Sequence, residues 1–164
     1  MFKRIAAVSA GVLIAVGGLS GCDAGTTSKG GDAAAPAAAG IGTPVRDGKF
    51  EFTVTSVDRS ATAGDPTNEY LQEKAKGEFV NVHLTIKNTG SEAQTFFASN
   101  QKLIVGGNKY DAASILGVPG DSESINPGLS VQSVATFDVA PGTVPDAIEL
   151  HDSMFSGGVK VNLK

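Results

Sequence analysis

The amino-acid sequence predicts an all-β fold, a sandwich of two antiparallel sheets, and three observations carry that prediction. Apolar residues recur with period two in several short runs, turn-forming residues separate those runs, and 21 Gly, 7 Pro and no Trp in 164 residues favour strands and turns over helices. Apolar residues make up 41% of the chain and charged ones 18%, enough for one domain of ordinary size once a leader and a linker are set aside.

The strands follow in order. Phe50, Phe52 and Val54 alternate with Glu51, Thr53 and Thr55, the pattern of a half-buried strand with one wet face. Val80, Val82, Leu84 and Ile86 do the same against Asn81, His83, Thr85 and Lys87. Leu103-Ile104-Val105 and Lys109-Tyr110 form a hairpin around Gly106-Gly107-Asn108. Asn126-Pro127-Gly128 places Pro and Gly where a type II turn wants them. Val131, Ala135, Phe137 and Val139 then share a face, with Val134 the one apolar exception on the other, and Pro141-Gly142 closes that strand. Val159, Val161 and Leu163 make the last strand. One segment departs from the pattern: Asp65 as N-cap, Pro66 at the first helical position, Lys74 and Lys76 near the end and Gly77 beyond predict a short helix over roughly 66–75.

Ahead of the domain, residues 1–21 have the three-part plan of a secretory signal: basic Lys3-Arg4, an uncharged apolar run from Ile5 to Val16, then glycines and small residues. The ending Leu19-Ser20-Gly21-Cys22 resembles the lipobox of bacterial lipoproteins, which implies thioether attachment of diacylglycerol to Cys22 and cleavage between Gly21 and Cys22. The alternative of an uncleaved anchor needs about 20 apolar residues, more than this run offers. Cys22 is the one cysteine of the chain, which leaves no internal disulfide, multi-cysteine zinc site or iron–sulfur cluster. Residues 22–44 then read as a lipidated cysteine and a flexible linker. From Asp23 to about Thr43 the chain holds Gly, Ala, Ser, Thr and Pro without an aromatic residue, so it cannot bury enough apolar area to offset its backbone entropy. Such a tether has a root-mean-square span of roughly 25 Å. The expected address is the extracytoplasmic face of the cell membrane, and Asp23 fits retention at the plasma membrane. Residues 45–164 are the folded domain.

Net charge is -4, and about -6 once Lys3 and Arg4 leave with the leader. Nucleic acid is therefore not an expected partner, and an acidic domain is repelled by anionic head groups and stands off the bilayer.

The domain resembles a known family in Gly77-Glu78-Phe79-Val80-Asn81-Val82, Ile86-Lys87-Asn88-Thr89-Gly90-Ser91-Glu92, Gly107-Asn108-Lys109-Tyr110, and Asn126-Pro127-Gly128 through Phe137-Asp138-Val139-Ala140-Pro141. That family is the Gram-positive lipoproteins carrying an immunoglobulin-like domain of unknown function, related in fold to the immunoprotective extracellular antigen of mycobacteria. The resemblance implies an immunoglobulin-like sandwich and assigns no functional residue.

No catalytic, cofactor or metal set is expected. Adjacent residues on a strand point to opposite faces, so His151-Asp152-Ser153 cannot form a relay, and the nucleophile elbow Gly-x-Ser-x-Gly is absent. His83 sits at a polar strand position and reads as solvated. Asp111, Asp121 and Glu123 lack the ligand ladder of a calcium loop, and Gly106-Gly107-Asn108-Lys109 reads as a hairpin turn, not a phosphate cradle. For recognition, the long connection 112–125 offers Ile115, Leu116, Val118 and Pro119, which either present a binding loop or cap the core; Tyr70 and Leu71 pose the same choice. The leading expectation is a non-catalytic, lipid-anchored envelope module that engages a protein or a glycan. The alternatives are a carrier of a small apolar ligand between the sheets and a hydrolase.

Overall fold

The computed structural model describes residues 39–164; the signal segment, Cys22 and the tether up to residue 38 lie outside the described residues. Eleven strands follow in chain order: β1 (Ala39–Gly40), β2 (Val45–Asp47), β3 (Phe50–Gly64), β4 (Gln72–Asn88), β5 (Gln94–Phe97), β6 (Lys102–Val105), β7 (Asn108–Asp111), β8 (Ser122–Ile125), β9 (Ser130–Val139), β10 (Ala147–Leu150) and β11 (Val159–Asn162). One sheet has the order β1-β11-β10-β6-β7 and the other β2-β3-β4-β9, while β5 and β8 form a separate ribbon. The protein is a β-sandwich, as its sequence predicts. Among the described residues no helix is long and apolar enough to cross a membrane.

The period-two runs face one another across the sandwich. Phe50, Phe52 and Val54 of β3, Val80, Val82, Leu84 and Ile86 of β4 and Ala135, Phe137 and Val139 of β9 pack with Leu103, Ile148, Leu150 and Val161 of the opposite sheet. Phe96 of the ribbon closes one end, its ring 6.2 Å from both Phe50 and Phe52. These side chains form one buried apolar cluster between the sheets.

Turn chemistry sets the corners. In Asn126-Pro127-Gly128-Leu129 the Leu129 amide donates to the Asn126 carbonyl at 3.1 Å, and Gly128 has φ 77, the left-handed value that the third position of a type II turn requires. The hairpin of β6 and β7 also forms as expected, with Val105 opposite Asn108.

Two expectations are corrected. The helix over 66–75 is replaced by a single 3-10 turn, Glu69–Leu71, followed at once by β4. Asp65 accepts the Thr67 amide at 2.8 Å and Asn68 accepts the Tyr70 amide at 3.1 Å, so both caps serve a tight turn. Residues 72–74 instead pair with Thr62, Ala63 and Gly64 across the hairpin, and the Gly77 amide donates to Asp138 within the strand. Ala39 and Gly40, placed in the tether by composition, pair in parallel with Val161 and Asn162 of β11. Small residues with no pattern of their own are extended here because the edge of β11 supplies partners.

The β3/β4 register slips between Val54 and Ser56, and again between Ser60 and Thr62. In a regular strand Asp58 would share the inward face of Phe50, Phe52 and Val54. The extra residue at Thr55 reverses the alternation, so Ser56 lies opposite His83 and Asp58 opposite Asn81 on the wet face.

Candidate functional site

That reversal assembles a polar trough on the outer face of the β2-β3-β4-β9 sheet. His83 Nε2 lies 2.5 Å from Asp58 Oδ2. The Asn81 amide nitrogen donates to Asp58 Oδ1 at 2.8 Å and to Ser60 Oγ at 3.0 Å, and Thr136 Oγ1 donates to Asn81 Oδ1 at 3.1 Å. Burial pushes the Asp58 carboxyl upward, but hydrogen bonds from Asn81 and His83 and the charge of His83 outweigh it, so the pKa lies below its ordinary value. The carboxylate is thus an ionised acceptor at neutral pH. Two adjoining grooves of about 200 and 250 Å³ run over this network, sharing His83, Val134 and Pro119.

The long connection between β7 and β8 walls the trough. Its residues divide: Ile115 is buried, Leu116 is exposed, and Val118 and Pro119 line the groove. The connection is seated on β9 by the Ala113 amide, which donates to the Thr136 carbonyl at 2.7 Å, and by Gly120, where a Cβ would stand 2.4 Å from the Gln132 carbonyl oxygen. Only glycine permits that approach. Tyr70 is exposed on the 3-10 turn beyond the Gly64 end of the trough and does not line it. Asp58, Asn81 and Thr136 were not singled out as site residues by the sequence; the out-of-phase Val134, which lies opposite His83, was the one local sign that this face of β9 is not simply wet.

A second constellation lies where β10 meets β11. Glu149 is buried; its Oε1 is 2.5 Å from Lys109 Nζ and 3.0 Å from His151 Nε2, and its Oε2 is 4.0 Å from Lys160 Nζ. On the other side of the ring, His151 Nδ1 faces the carbonyl and hydroxyl oxygens of Ser156 at 3.2 and 3.3 Å. His151 therefore joins Glu149 and Ser156, and not Asp152 and Ser153. The Ser156 hydroxyl donates to the Ser153 carbonyl at 3.0 Å, which commits its proton to the backbone. The arrangement ties a loop to a strand.

Burial raises the Glu149 pKa, but the hydrogen bond and charge of Lys109, followed by those of His151, prevail and hold it below the ordinary value. A carboxyl depressed in the folded state contributes stability that is present above its unfolded pKa of about 4.3 and is lost as pH falls through the lower folded value. We expect Glu149→Gln to flatten the acid limb of stability below about pH 4.3 relative to the wild type, read from urea midpoints across a pH series. Parallel limbs would contradict this assignment.

The loop so tied carries the third feature. Ser153 and Ser156 close a β-turn, the Ser156 amide donating to the Ser153 carbonyl at 3.1 Å, with Met154 and Phe155 at its apex, 73% and 90% exposed. Its base is pinned by the Asp152 amide to Asp47 Oδ2 at 2.8 Å and by the Lys49 amide to Asp152 Oδ2 at 3.0 Å. Beside it runs a groove of about 490 Å³ lined by Lys49, Phe97, Asn100, Asp152, Met154 and Phe155. A Met-Phe pair amid serines and glycines was visible in the sequence but was not singled out there. Among the described residues no three His, Cys, Asp or Glu gather as metal ligands; Asp111 pairs with Lys102 at 2.6 Å.

Comparison with known proteins places the fold in context. The family described as "Domain of unknown function (DUF4352)" matches residues 39–161. No curated protein matches the chain. Among solved structures, the yjhA protein of Bacillus subtilis is similar with a TM-score of 0.58 at 14% identity, over 77% of this chain and 99% of that one. The secreted protein MPT63 of Mycobacterium tuberculosis gives 0.52 at 14% identity over 80% and 98%, and a functionally unknown protein of Listeria monocytogenes gives 0.52 at 13% over 77% and 85%. Similarity at that level of identity establishes the shared sandwich.

Proposed function

This chain belongs to the DUF4352 family, and from that premise we propose that it is a non-catalytic module of the cell envelope, anchored through lipid on Cys22, that engages a glycan or a protein in the trough on its sheet face. The observation that carries the reading is the trough itself. Carboxylate, imidazole, amide and hydroxyl groups alternate along its floor while Val118, Pro119 and Val134 supply an apolar strip. Hydroxyl-rich ligands are bound by that combination, hydrogen bonds fixing orientation and C–H surfaces packing on aliphatic side chains. The non-catalytic part rests on Ser156, whose proton is directed away from the imidazole. The anchor rests on Leu19-Ser20-Gly21-Cys22.

The test is titration of the purified chain with soluble cell-wall glycan fragments, followed by nuclear magnetic resonance shifts of β3, β4 and β9. Asn81→Ala with His83→Ala is expected to weaken binding about tenfold or more, the worth of one to two hydrogen bonds, without changing the fold. Binding unaffected by that pair, or shifts confined to another surface, would remove the trough from the proposal. For the anchor, mass spectrometry of the mature N-terminus should find lipid on Cys22; a bare thiol would end that part of the reading.

A further inference from the structure

We propose that the Met154-Phe155 turn is a membrane-contacting element that dips into the lipid interface and orients the sandwich on the bilayer. The inference rests on the anchored reading above and adds to it a second point of contact. β1 runs parallel to β11 with Ala39 opposite Val161, so the chain comes into the domain from the side on which β11 begins. The connection leading into β11 at that side is the loop that bears Met154 and Phe155. Sixteen residues lie between Cys22 and Ala39. On the anchored reading, a lipid on Cys22 is thus tied to the chain just ahead of this end of the sandwich, whereas Tyr70 lies at the other. Tyr70 lies beyond the far end of β3, whose 15 residues stretch about 45 Å from Lys49.

The chemistry of the turn matches that placement. Turn apices are ordinarily Gly, Asn, Asp or Ser, and a large thioether and a phenyl ring held in water at such a site call for an apolar partner. The base of the turn is already tied down by Asp47, Lys49, Ser156 and the link from His151 to Glu149. Little order is then lost on insertion. Contact here departs from the stand-off expected of an acidic domain: the Lys49 side chain lines the same groove as Asp152 and offsets part of the local negative charge.

The absence of tryptophan makes the test direct. Phe155→Trp and, separately, Tyr70→Trp are introduced into the full chain, which is reconstituted on vesicles of equimolar phosphatidylcholine and phosphatidylglycerol with or without brominated acyl chains. Emission from the Phe155→Trp variant should shift to the blue and be quenched by bromine, whereas the Tyr70→Trp variant should keep its aqueous spectrum. In the unlipidated Cys22→Ser background, Met154→Ser with Phe155→Ser should lower vesicle partition about tenfold or more. If the chain floats with the vesicles while the Phe155→Trp indole stays unquenched, the anchor stands and the insertion proposal is overturned, leaving the turn to a protein partner. If the chain carries no lipid and does not float, the anchor reading fails. The insertion is then decided by the Phe155→Trp indole in the Cys22→Ser chain at high lipid, where lack of quenching overturns it.

Discussion

Phe52→Ala is expected to cost about 3–5 kcal/mol of folding free energy, a large part of the roughly 5–15 kcal/mol that holds a domain of this size together. The ring is fully buried and stands 5.9 Å from Phe50 and 6.2 Å from Phe96, so it joins the β2-β3-β4-β9 sheet to the β5/β8 ribbon. No tryptophan or disulfide shares that task. Truncation removes the transfer energy of the ring and leaves a hole that strands on both sides are too constrained to fill. Phe52→Leu keeps most of the volume and should cost about 1.5 kcal/mol or less. Urea unfolding followed by circular dichroism reads both; equal midpoints for the two variants would show that the ring is not a keystone of the core.

Asn88→Ala should have the next largest effect, about 2–4 kcal/mol, through hydrogen bonds and not through volume. Its amide is wholly buried: the nitrogen donates to the carbonyls of Glu92 at 2.7 Å and Ile125 at 2.8 Å, and the oxygen accepts the Gly90 amide at 2.8 Å. One side chain thus closes the turn after β4 and ties it to β8. Alanine leaves two carbonyls and one amide without partners, and each such group is costly in a buried setting. Asn88→Asp separates shape from bonding, because a carboxylate of the same size faces two carbonyl oxygens; it should do no better than alanine. Unfolding midpoints, with exchange protection of the Gly90 amide, measure this. A stable Asn88→Asp variant would contradict the donor role.

How far the sequence disclosed this structure depends on the range of the interactions involved. The strands through Val80–Ile86 and Val131–Val139 were legible because alternation is local, and Asn126-Pro127-Gly128 was legible because a type II turn is specified by its own residues. The 3-10 turn was misread because Asp65 and Asn68 cap a tight turn with the same chemistry that caps a helix. β1 was hidden, since Ala39 and Gly40 gain strand character only from the edge of β11. The site was legible in part. The 112–125 connection supplied Val118 and Pro119, but Ile115 turned inward. Asp58 was out of reach: its face depends on a register slip at Thr55 that no period reveals.

The two-residue parallel pairing of β1 with β11 has a mechanical consequence. If the chain is anchored as proposed, a pull on it ahead of Ala39 acts along the strands and loads the few hydrogen bonds to Val161 and Asn162 in shear. They are far fewer than the bonds of the long β3/β4 ladder, and behind them the Gly42 amide still donates to the Val54 carbonyl of β3 at 2.8 Å. The β1 pairing is thus the outer of two successive fastenings between this segment and the sandwich.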